Sequence, residues 1–382
     1  MSMRLCALIL LAAASSAEAQ PTRHALVFGL DGCRPDSLLE ANTPRMDALR
    51  ESGAFQMAAM TGDVPISGPG WSSFYTGVWR AKHGVDDNDF AGARFDAFPS
   101  IYCRLDSARP GSSTANIFRW PPLNDWLDAC ADSSIVGASD QAGAEEAARI
   151  LREESPDVLF VHLNAPDNAG HASGFGSAAY LAAIESCDAR IGLVLDALAE
   201  RPGIAGEEWL VVVTTDHGGS GNDHHDDIPE NRTIFVILAG PGVAPGEVAQ
   251  PVGIVDLAPT ILAYLGIEID PAWDLDGKVI GLGPPPPPPP DLALPGDANL
   301  DGAFDLADPV LTLAFLFEDA RGWPCGGDGP TALDTTLLDA NGDGELDLSD
   351  PIRGLLHLFA GGPPHALGAE CAPFPGCPGR CR

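Results

Sequence analysis

The sequence predicts an α/β fold, a mainly parallel sheet flanked by helices, followed by a small α-helical module with acidic loops. Three observations predict it. Between residues 21 and 280, short apolar, β-branched runs alternate with helix-compatible stretches, the pattern of strands linked by crossover helices. Gly283 and the prolines Pro284–Pro290 then interrupt the chain. Such a run forms a semi-rigid polyproline II spacer and enters neither a helix nor a central strand. Beyond it, the acidic segments Asp297–Asp308 and Asp339–Asp350 repeat one another. The expected organisation is a leader at 1–20, an α/β domain at 21–282, a linker at 283–294 and the small module at 295–382. A chain of 382 residues has room for a large core and an appended unit.

Arg4, the apolar stretch Leu5–Ala14 and Ala17-Glu18-Ala19 read as a secretory signal with a small-residue cleavage site. About ten apolar residues are too few to span a bilayer, and no later stretch is apolar for long enough. The mature chain is therefore expected outside the cytoplasm, secreted, periplasmic or at the cell surface, with no transmembrane segment. Strands are expected at His24–Leu30, Val158–Leu163, Leu210–Thr215 and Thr233–Leu238. Each is a near-continuous apolar run, as in strands covered on both faces. Tyr180, Ile184, Ile191, Leu195 and Leu198 give Ser177–Ala199 a helical period. A second helix is expected at Asp256–Leu265, with Pro259 in its first turn, where the missing N–H costs nothing.

The net charge of −33, with Lys82 and Lys278 as the lysines, repels phosphate backbones and argues against binding duplex nucleic acid. Eight cysteines follow Cys6: Cys33, Cys103, Cys130, Cys187, Cys325, Cys371, Cys377 and Cys381. An exported chain can pair them without the sequence dictating how. Cys325 with Cys371, Cys377 and Cys381 reads as a staple for the C-terminal module. No CxxC pair occurs, which argues against a thiolate zinc site.

Four segments carry the chemistry: FGLDGCRPD (28–36), PISGPGWSSFYTG (65–77), NAPDNAGH (164–171) and TTDHGGSGNDHH (214–225). From them a site can draw three carboxylates, three imidazoles and a hydroxyl, just past apolar runs or in Gly-rich turns, where parallel-sheet enzymes keep their sites. Asp31 ends the first strand, and Asp216-His217 follow the strand at 210–215. Asp167 and His171 are one turn apart on a short helix, so both can face one ion. His224 can fold back across the glycine-rich loop, with His225 as the competing choice. His162, inside a strand, reads as a core histidine rather than a ligand. Ser67 precedes a helix-compatible stretch and is the candidate nucleophile, although a lone serine there would read as an N-cap. No Ser-His-Asp order is evident, so its activation would come from a metal.

This set resembles the alkaline phosphatase superfamily, most closely its type I phosphodiesterase and nucleotide pyrophosphatase branch, over roughly residues 24–268. The resemblance implies an alkaline phosphatase-like catalytic domain with two catalytic zinc ions. One would be held by Asp31, Asp216, His217 and Ser67, the other by Asp167, His171 and His224. It also implies a phosphate-ester substrate, in-line attack by Ser67 and hydrolysis of a phosphoserine. That branch usually carries Thr at the nucleophile, so Ser67 is a departure. The segment from His83 to Asn88 is similar to the branch's HGI-plus-Asn element. It implies that Asn88, aided by backbone N–H groups near Gly68, holds a non-bridging phosphoryl oxygen. Phosphomonoesterases of the superfamily tend to use an Arg instead; Arg34, Arg80 and Arg104 are the candidates to reach the site. VDLAPTILAYLGI (255–267) also resembles a recurrent element of the superfamily and of sulfatases. The sulfatase nucleophile context fails at Trp71 and at Ser37, where its Arg would stand.

Each acidic repeat matches a calcium loop with oxygen donors at positions one, three, five, nine and twelve and glycine at six. The first offers Asp297, Asn299, Asp301, Asp305 and Asp308 around Gly302. The second offers Asp339, Asn341, Asp343, Asp347 and Asp350 around Gly344. Backbone carbonyls of Ala303 and Glu345 would complete the shells, giving two structural calcium ions. Asp at position twelve and the loop-then-helix order resemble dockerin repeats, which implies either a cohesin-like protein partner or a stabilising role. Three functional readings stand: a diester or pyrophosphate hydrolase, a phosphomonoesterase, and a calcium-organised surface-binding protein without catalysis.

Overall fold

The computed structural model describes residues 21–127, 129–283, 292–317, 323–326, 330–369, 371–374 and 377. The leader at 1–20, the proline run and Cys381 lie outside the described residues. Two compact units divide between Gly283 and Pro284.

The first unit is an eight-stranded sheet among the described residues, made of β1 (Thr22–Leu30), β2 (Ala54–Met60), β3 (Thr114–Phe118), β4 (Ser133–Val136), β5 (Val158–Leu163), β6 (Glu207–Thr214), β7 (Thr233–Ala239) and β8 (Gly246–Glu247). Their order is β4-β3-β5-β1-β6-β7-β2-β8. β4, β3, β5, β1 and β6 run parallel, whereas β7 is antiparallel to both β6 and β2. The sheet is therefore mixed but mostly parallel. A continuous apolar run such as TIFVILA is buried whichever way it runs, so the pattern at β7 carries no direction.

β1 lies between β5 and β6, and Ala25, Leu26, Val27, Phe28 and Leu30 are at most 1 % exposed. Leu26, Phe28 and Leu30 face one buried layer and Ala25 and Val27 the other, so the strand needs apolar residues throughout. Each large side chain buried this way contributes about 1.5–3 kcal/mol. The long helix Ala178–Ala199 starts one residue after its N-cap, Ser177, whose side chain accepts from the Tyr180 N–H. The segment expected as one helix from Asp256 splits into a 3-10 turn, Ile254–Asp256, and a helix, Leu257–Tyr264.

Register decides where the chemistry gathers. Gly29 pairs with His162 on β5 and with Thr214 on β6, and Leu30 pairs with Leu163. The carboxyl ends of three adjacent parallel strands thus fall level, and Asp31, the segment from Asn164 and Asp216 leave the sheet at one edge.

The second unit contains helices Ala307–Phe317, Ala332–Leu338 and Ser349–Ala360 and a short antiparallel pair, Leu292–Ala293 with Ala372–Pro373. Ala293, Phe315, Trp323, Leu337, Leu338 and Phe374 are among its core residues. Among the described residues, Cys103 pairs with Cys130 and Cys325 with Cys377, and Cys371 is also in a disulfide. Cys33 and Cys187 are free, buried thiols.

Candidate metal centre

Asp31 continues the β1–β5 ladder by donating its N–H to Leu163 O at 2.9 Å, which fixes where its carboxylate leaves the sheet. It is 1 % exposed. Its Oδ2 accepts from His162 Nε2 at 2.9 Å and Trp71 Nε1 at 3.3 Å. Its Oδ1 lies 3.4 Å from Ser67 Oγ and 3.4 Å from His217 Nε2. Asp216 accepts the Gly32 N–H on Oδ1 at 3.2 Å, while its buried Oδ2 has no hydrogen-bond partner and sits 3.5 Å from His217 Nε2. Asp31, Asp216 and His217 form one group whose ligand atoms lie within 4.8 Å of one another.

Asp167, His171 and His224 form the second such group. The first two lie one turn apart on helix Ala165–Ser173, as the spacing predicts, and Asp167 N–H donates to Asp31 O at 3.1 Å. Asp167 Oδ1 is buried without a partner, 3.4 Å from His171 Nε2 and 3.7 Å from His224 Nε2. The loop after β6 turns back through the Ser220↔Asp223 bridge and stacks the His224 ring on His217, centroids 3.8 Å apart. His225 is exposed and paired with Asp223, so His224 is the histidine that joins the group.

The three clustered imidazoles share one arrangement. Nδ1 of His217 faces Gly218 O at 2.7 Å, that of His171 faces Asn222 O at 2.9 Å and that of His224 faces Pro65 O at 3.0 Å. A carbonyl only accepts, so each Nδ1 carries the hydrogen and each Nε2 turns to the carboxylates. Acceptor facing acceptor in a buried site requires a positive charge between them. Without a metal, a proton on His217 fills that place in the first group. Burial disfavours charge on His217, yet the carboxylates of Asp216, Asp31 and Asp167 push its pKa up to about 10. Burial and the neighbouring Asp31 charge push Asp167 up to about 6, and the same two causes raise Asp216 well above the carboxylate range. Burial and the His217 charge take His224 down to about 3. Burial alone would raise Asp31, but hydrogen bonds from His162 and His217 hold it well below the usual carboxylate range.

Ser67 is the first residue of helix Ser67–Thr76. The sequence suggests that the helix starts near Trp71, but it reaches back through Gly68-Pro69-Gly70. Proline is tolerated in a first turn, and both glycines sit where a Cβ would collide, with Asp87 O at 2.7 Å and with Asp216 O at 2.9 Å. Ser67 is 7 % exposed, with Oγ 3.3 Å from His217 Nε2. The Gly68 N–H donates to Asn88 Oδ1 at 2.7 Å. Of the N–H groups near Gly68 expected to serve a substrate oxygen, this one is taken by Asn88; the bond orients the Asn88 amide so that its Nδ2 donors are left. The arginines expected as candidates are held elsewhere. Arg34 binds Asp36 and Gly219 O, Arg80 binds Asp63 and Asp86, and Arg104 is buried over the Trp273 ring.

Sequence reasoning missed His162 and Trp71 as partners of Asp31, and Tyr180, whose hydroxyl donates to Gly32 O at 2.6 Å and accepts from Arg34 N at 2.8 Å. The available signal at His162 was a lone polar residue in the apolar run VLFVHL.

The acidic loops of the second unit do not add a third group of this kind among the described residues. Their carboxylates gather loop N–H groups instead, and the two repeats do so alike. Asp297 accepts from Asp301 and Gly302 as Asp339 does from Asp343 and Gly344. Asp308 accepts from Asp305 and Asn299 as Asp350 does from Asp347 and Asn341.

A 2,3-bisphosphoglycerate-independent phosphoglycerate mutase of Natronomonas pharaonis is 31 % identical over 122 residues, 30 % of this chain and 22 % of that protein. A phosphopentomutase of Methylobacterium sp. (strain 4-46) is 36 % identical over 94 residues, 24 % of this chain and 20 % of that protein. The matches thus span only about a fifth of these relatives' length. Murine ectonucleotide pyrophosphatase / phosphodiesterase 5, in an inactive form with AMP, shares the fold at a TM-score of 0.53 and 14 % identity, covering 65 % of this chain and 96 % of that one. A phosphonate monoester hydrolase from Silicibacter pomeroyi does so at 0.54 and 17 %, covering 68 % and 76 %. The model of the type I phosphodiesterase / nucleotide pyrophosphatase family matches residues 25–102 and 123–244, the stretches that hold every residue of the two clusters, and the chain belongs to that family.

Proposed function

We propose that this chain is an exported, zinc-dependent hydrolase of phosphodiester or pyrophosphate bonds that works through a phosphoserine on Ser67. The observation that carries the reading is the convergence of three Nδ1-anchored imidazoles on the unpartnered oxygens Asp167 Oδ1 and Asp216 Oδ2, beside the Ser67 hydroxyl. Asp31, Asp216 and His217, with Ser67, would hold one ion, and Asp167, His171 and His224 the other. The mixed imidazole and carboxylate set suits zinc. Ions bound there would lower the pKa of the Ser67 hydroxyl and offset charge on the phosphoryl group.

The chain's own residues supply position. Helix Ser67–Thr76 presents Oγ at its first residue, and Ser67 Oγ forms a bond to phosphorus as the alcohol or phosphate leaving group departs. Water then cleaves the phosphoserine and restores the hydroxyl. The Asn88 Nδ2 donors, oriented by the Gly68 N–H, hold a non-bridging oxygen. Arg34, Arg80 and Arg104 are committed elsewhere, which favours a diester, with one negative charge fewer than a monoester. The AMP seen in the murine relative supports nucleotide esters as one substrate class.

The test is steady-state hydrolysis of bis-p-nitrophenyl phosphate beside p-nitrophenyl phosphate, with zinc restored after chelation. A strong diester preference is expected. A monoester preference would move the chain to the phosphomonoesterase side. Cleavage of neither, extended to sulfate and phosphonate esters, would sink the hydrolase reading of this site in favour of a calcium-organised binding protein. Export is supported by the disulfides, and among the described residues no helix is long and apolar enough to cross a membrane. In the second unit, the matched carboxylate patterns support two structural calcium ions, held by the loops at 297–308 and 339–350.

A further inference from the structure

Asp31 has to present one oxygen to the site and keep the other away from it. Both sides of that arrangement are visible. Oδ1 faces Ser67 Oγ and His217 Nε2, each at 3.4 Å. Oδ2 is occupied by two ring N–H groups, His162 Nε2 at 2.9 Å and Trp71 Nε1 at 3.3 Å. Ser67 and Trp71 are four residues apart on one helix, so a single helical face touches both oxygens. That face can come so close because Gly29, the register partner of His162, has no side chain. A Cβ there would lie 2.5 Å from the Trp71 ring.

The tautomer of His162 follows from its other nitrogen. Nδ1 faces the Arg119 backbone N–H at 3.3 Å. A peptide N–H only donates, so Nδ1 accepts and Nε2 carries the hydrogen. Arg119 follows the end of β3, and its side chain is anchored on Asp140. The ring is 0 % exposed and stands edge-on to Trp71, centroids 5.4 Å apart. A fully satisfied imidazole thus donates one hydrogen bond to one oxygen of one carboxylate.

We infer that His162 is a positioning residue of the metal centre, holding Asp31 so that only Oδ1 is offered to the ion proposed at Asp31, Asp216 and His217. The inference rests on the hydrolase reading above. It predicts which replacements work. A glutamine amide nitrogen reaches the place of the imidazole Nε2, whereas an asparagine amide stops near Nδ1 and a phenylalanine fills the space without a donor.

The experiment compares wild type, His162→Gln, His162→Asn and His162→Phe, each as the full chain. Zinc stoichiometry and affinity are read by competition with a chromogenic chelator, and kcat and KM are read on bis-p-nitrophenyl phosphate. The expected result is two tightly bound zinc ions in wild type. One of them should be weakened about 10–100-fold in the Phe and Asn variants, with kcat lowered and KM little changed. His162→Gln should stay within about threefold of wild type, in keeping with a preserved donor. If His162→Phe binds both ions as tightly as wild type, or if Gln fares no better than Asn, the inference is overturned while the hydrolase reading stands. Should the Phe variant fail to fold, the Gln and Asn pair decides the matter. A wild type that binds no zinc and cleaves no ester overturns both.

Discussion

Replacing Asp216 with Asn tests the electrostatics of the centre directly. In the metal-free chain His217 is pushed up to about 10 from its ordinary 6.5, against burial, with Asp216 the largest of the carboxylate charges that raise it. Asp216 Oδ2 lies 3.5 Å from His217 Nε2. At an effective dielectric near 20, a full charge at that distance interacts by about 5 kcal/mol, or roughly three and a half pKa units, an upper bound because Asp216 is itself raised well above the carboxylate range. Asp216→Asn should therefore bring the His217 pKa down towards neutrality. The assay is an NMR titration of the imidazole nitrogens in metal-stripped protein, in which wild-type His217 stays charged at pH 8 and the variant does not. Metal binding carries the same signature. At pH 7, three units below the His217 pKa, its proton alone masks about 4 kcal/mol of zinc affinity. Affinity should thus rise at least about tenfold per pH unit towards 10, since Asp216, raised well above the carboxylate range, also sheds its proton as the ion binds. It should rise more steeply below pH 6, where Asp167, raised to about 6, adds a further proton to be displaced. Calorimetry in buffers of different ionisation enthalpy counts those protons. A wild-type His217 that is neutral at pH 7 without metal, or a pKa indifferent to Asp216→Asn, would refute the reasoning.

Two further outcomes follow from the same geometry. Ser67→Ala should lower kcat on bis-p-nitrophenyl phosphate by at least about three orders of magnitude while largely sparing zinc content, measured by elemental analysis; retained turnover would remove Ser67 as nucleophile. In the second unit, burial pushes Asp308 up from 3.8 to about 6. A carboxyl raised by folding contributes stability below its unfolded pKa and loses it as pH rises through the folded one, here between about 4 and 6, by at most about 3 kcal/mol. Scanning calorimetry of the full chain should show its second unit destabilised over that window in EGTA and restored by calcium. Identical scans with and without calcium at pH 7 would refute the calcium loops.

The strands that organise the centre were legible because burial on both faces leaves a continuous apolar run. Val158–Leu163 coincides with its observed bounds, and β1 begins only two residues early. The ligand-type residues were legible because carboxylates and imidazoles have little reason to follow such runs unless they serve a site. What was not legible is relational. β2, with the sequence AFQMAAM, has neither alternation nor a β-branched run to announce it, and β7 hides its direction. Cys103 and Cys130 sit 27 residues apart, a spacing that names no partner. His162 gave itself away only as a polar interruption, since its partner, Asp31, lies 131 residues away. The Gly68 N–H looked free until the loop that carries Asn88 was seen folded over it.

The spread of the first centre along the chain has a kinetic consequence. Its groups run from Asp31 to His224 and meet only once β5, β1 and β6 have paired in register. Non-local parallel pairing of this kind is slow to form. Each acidic loop, by contrast, carries its donors within one short segment. Loop-closure entropy grows by about 0.6 kcal/mol per doubling of length, so gathering the first centre costs the chain about 2–3 kcal/mol more than gathering one loop. Calcium would thus bind early and could seed the folding of the second unit. A transition metal would arrive last, with no part in guiding the first unit to its fold. Scarcity of the two metals would then leave different species behind: one unfinished at its C-terminal end, the other fully folded but inert.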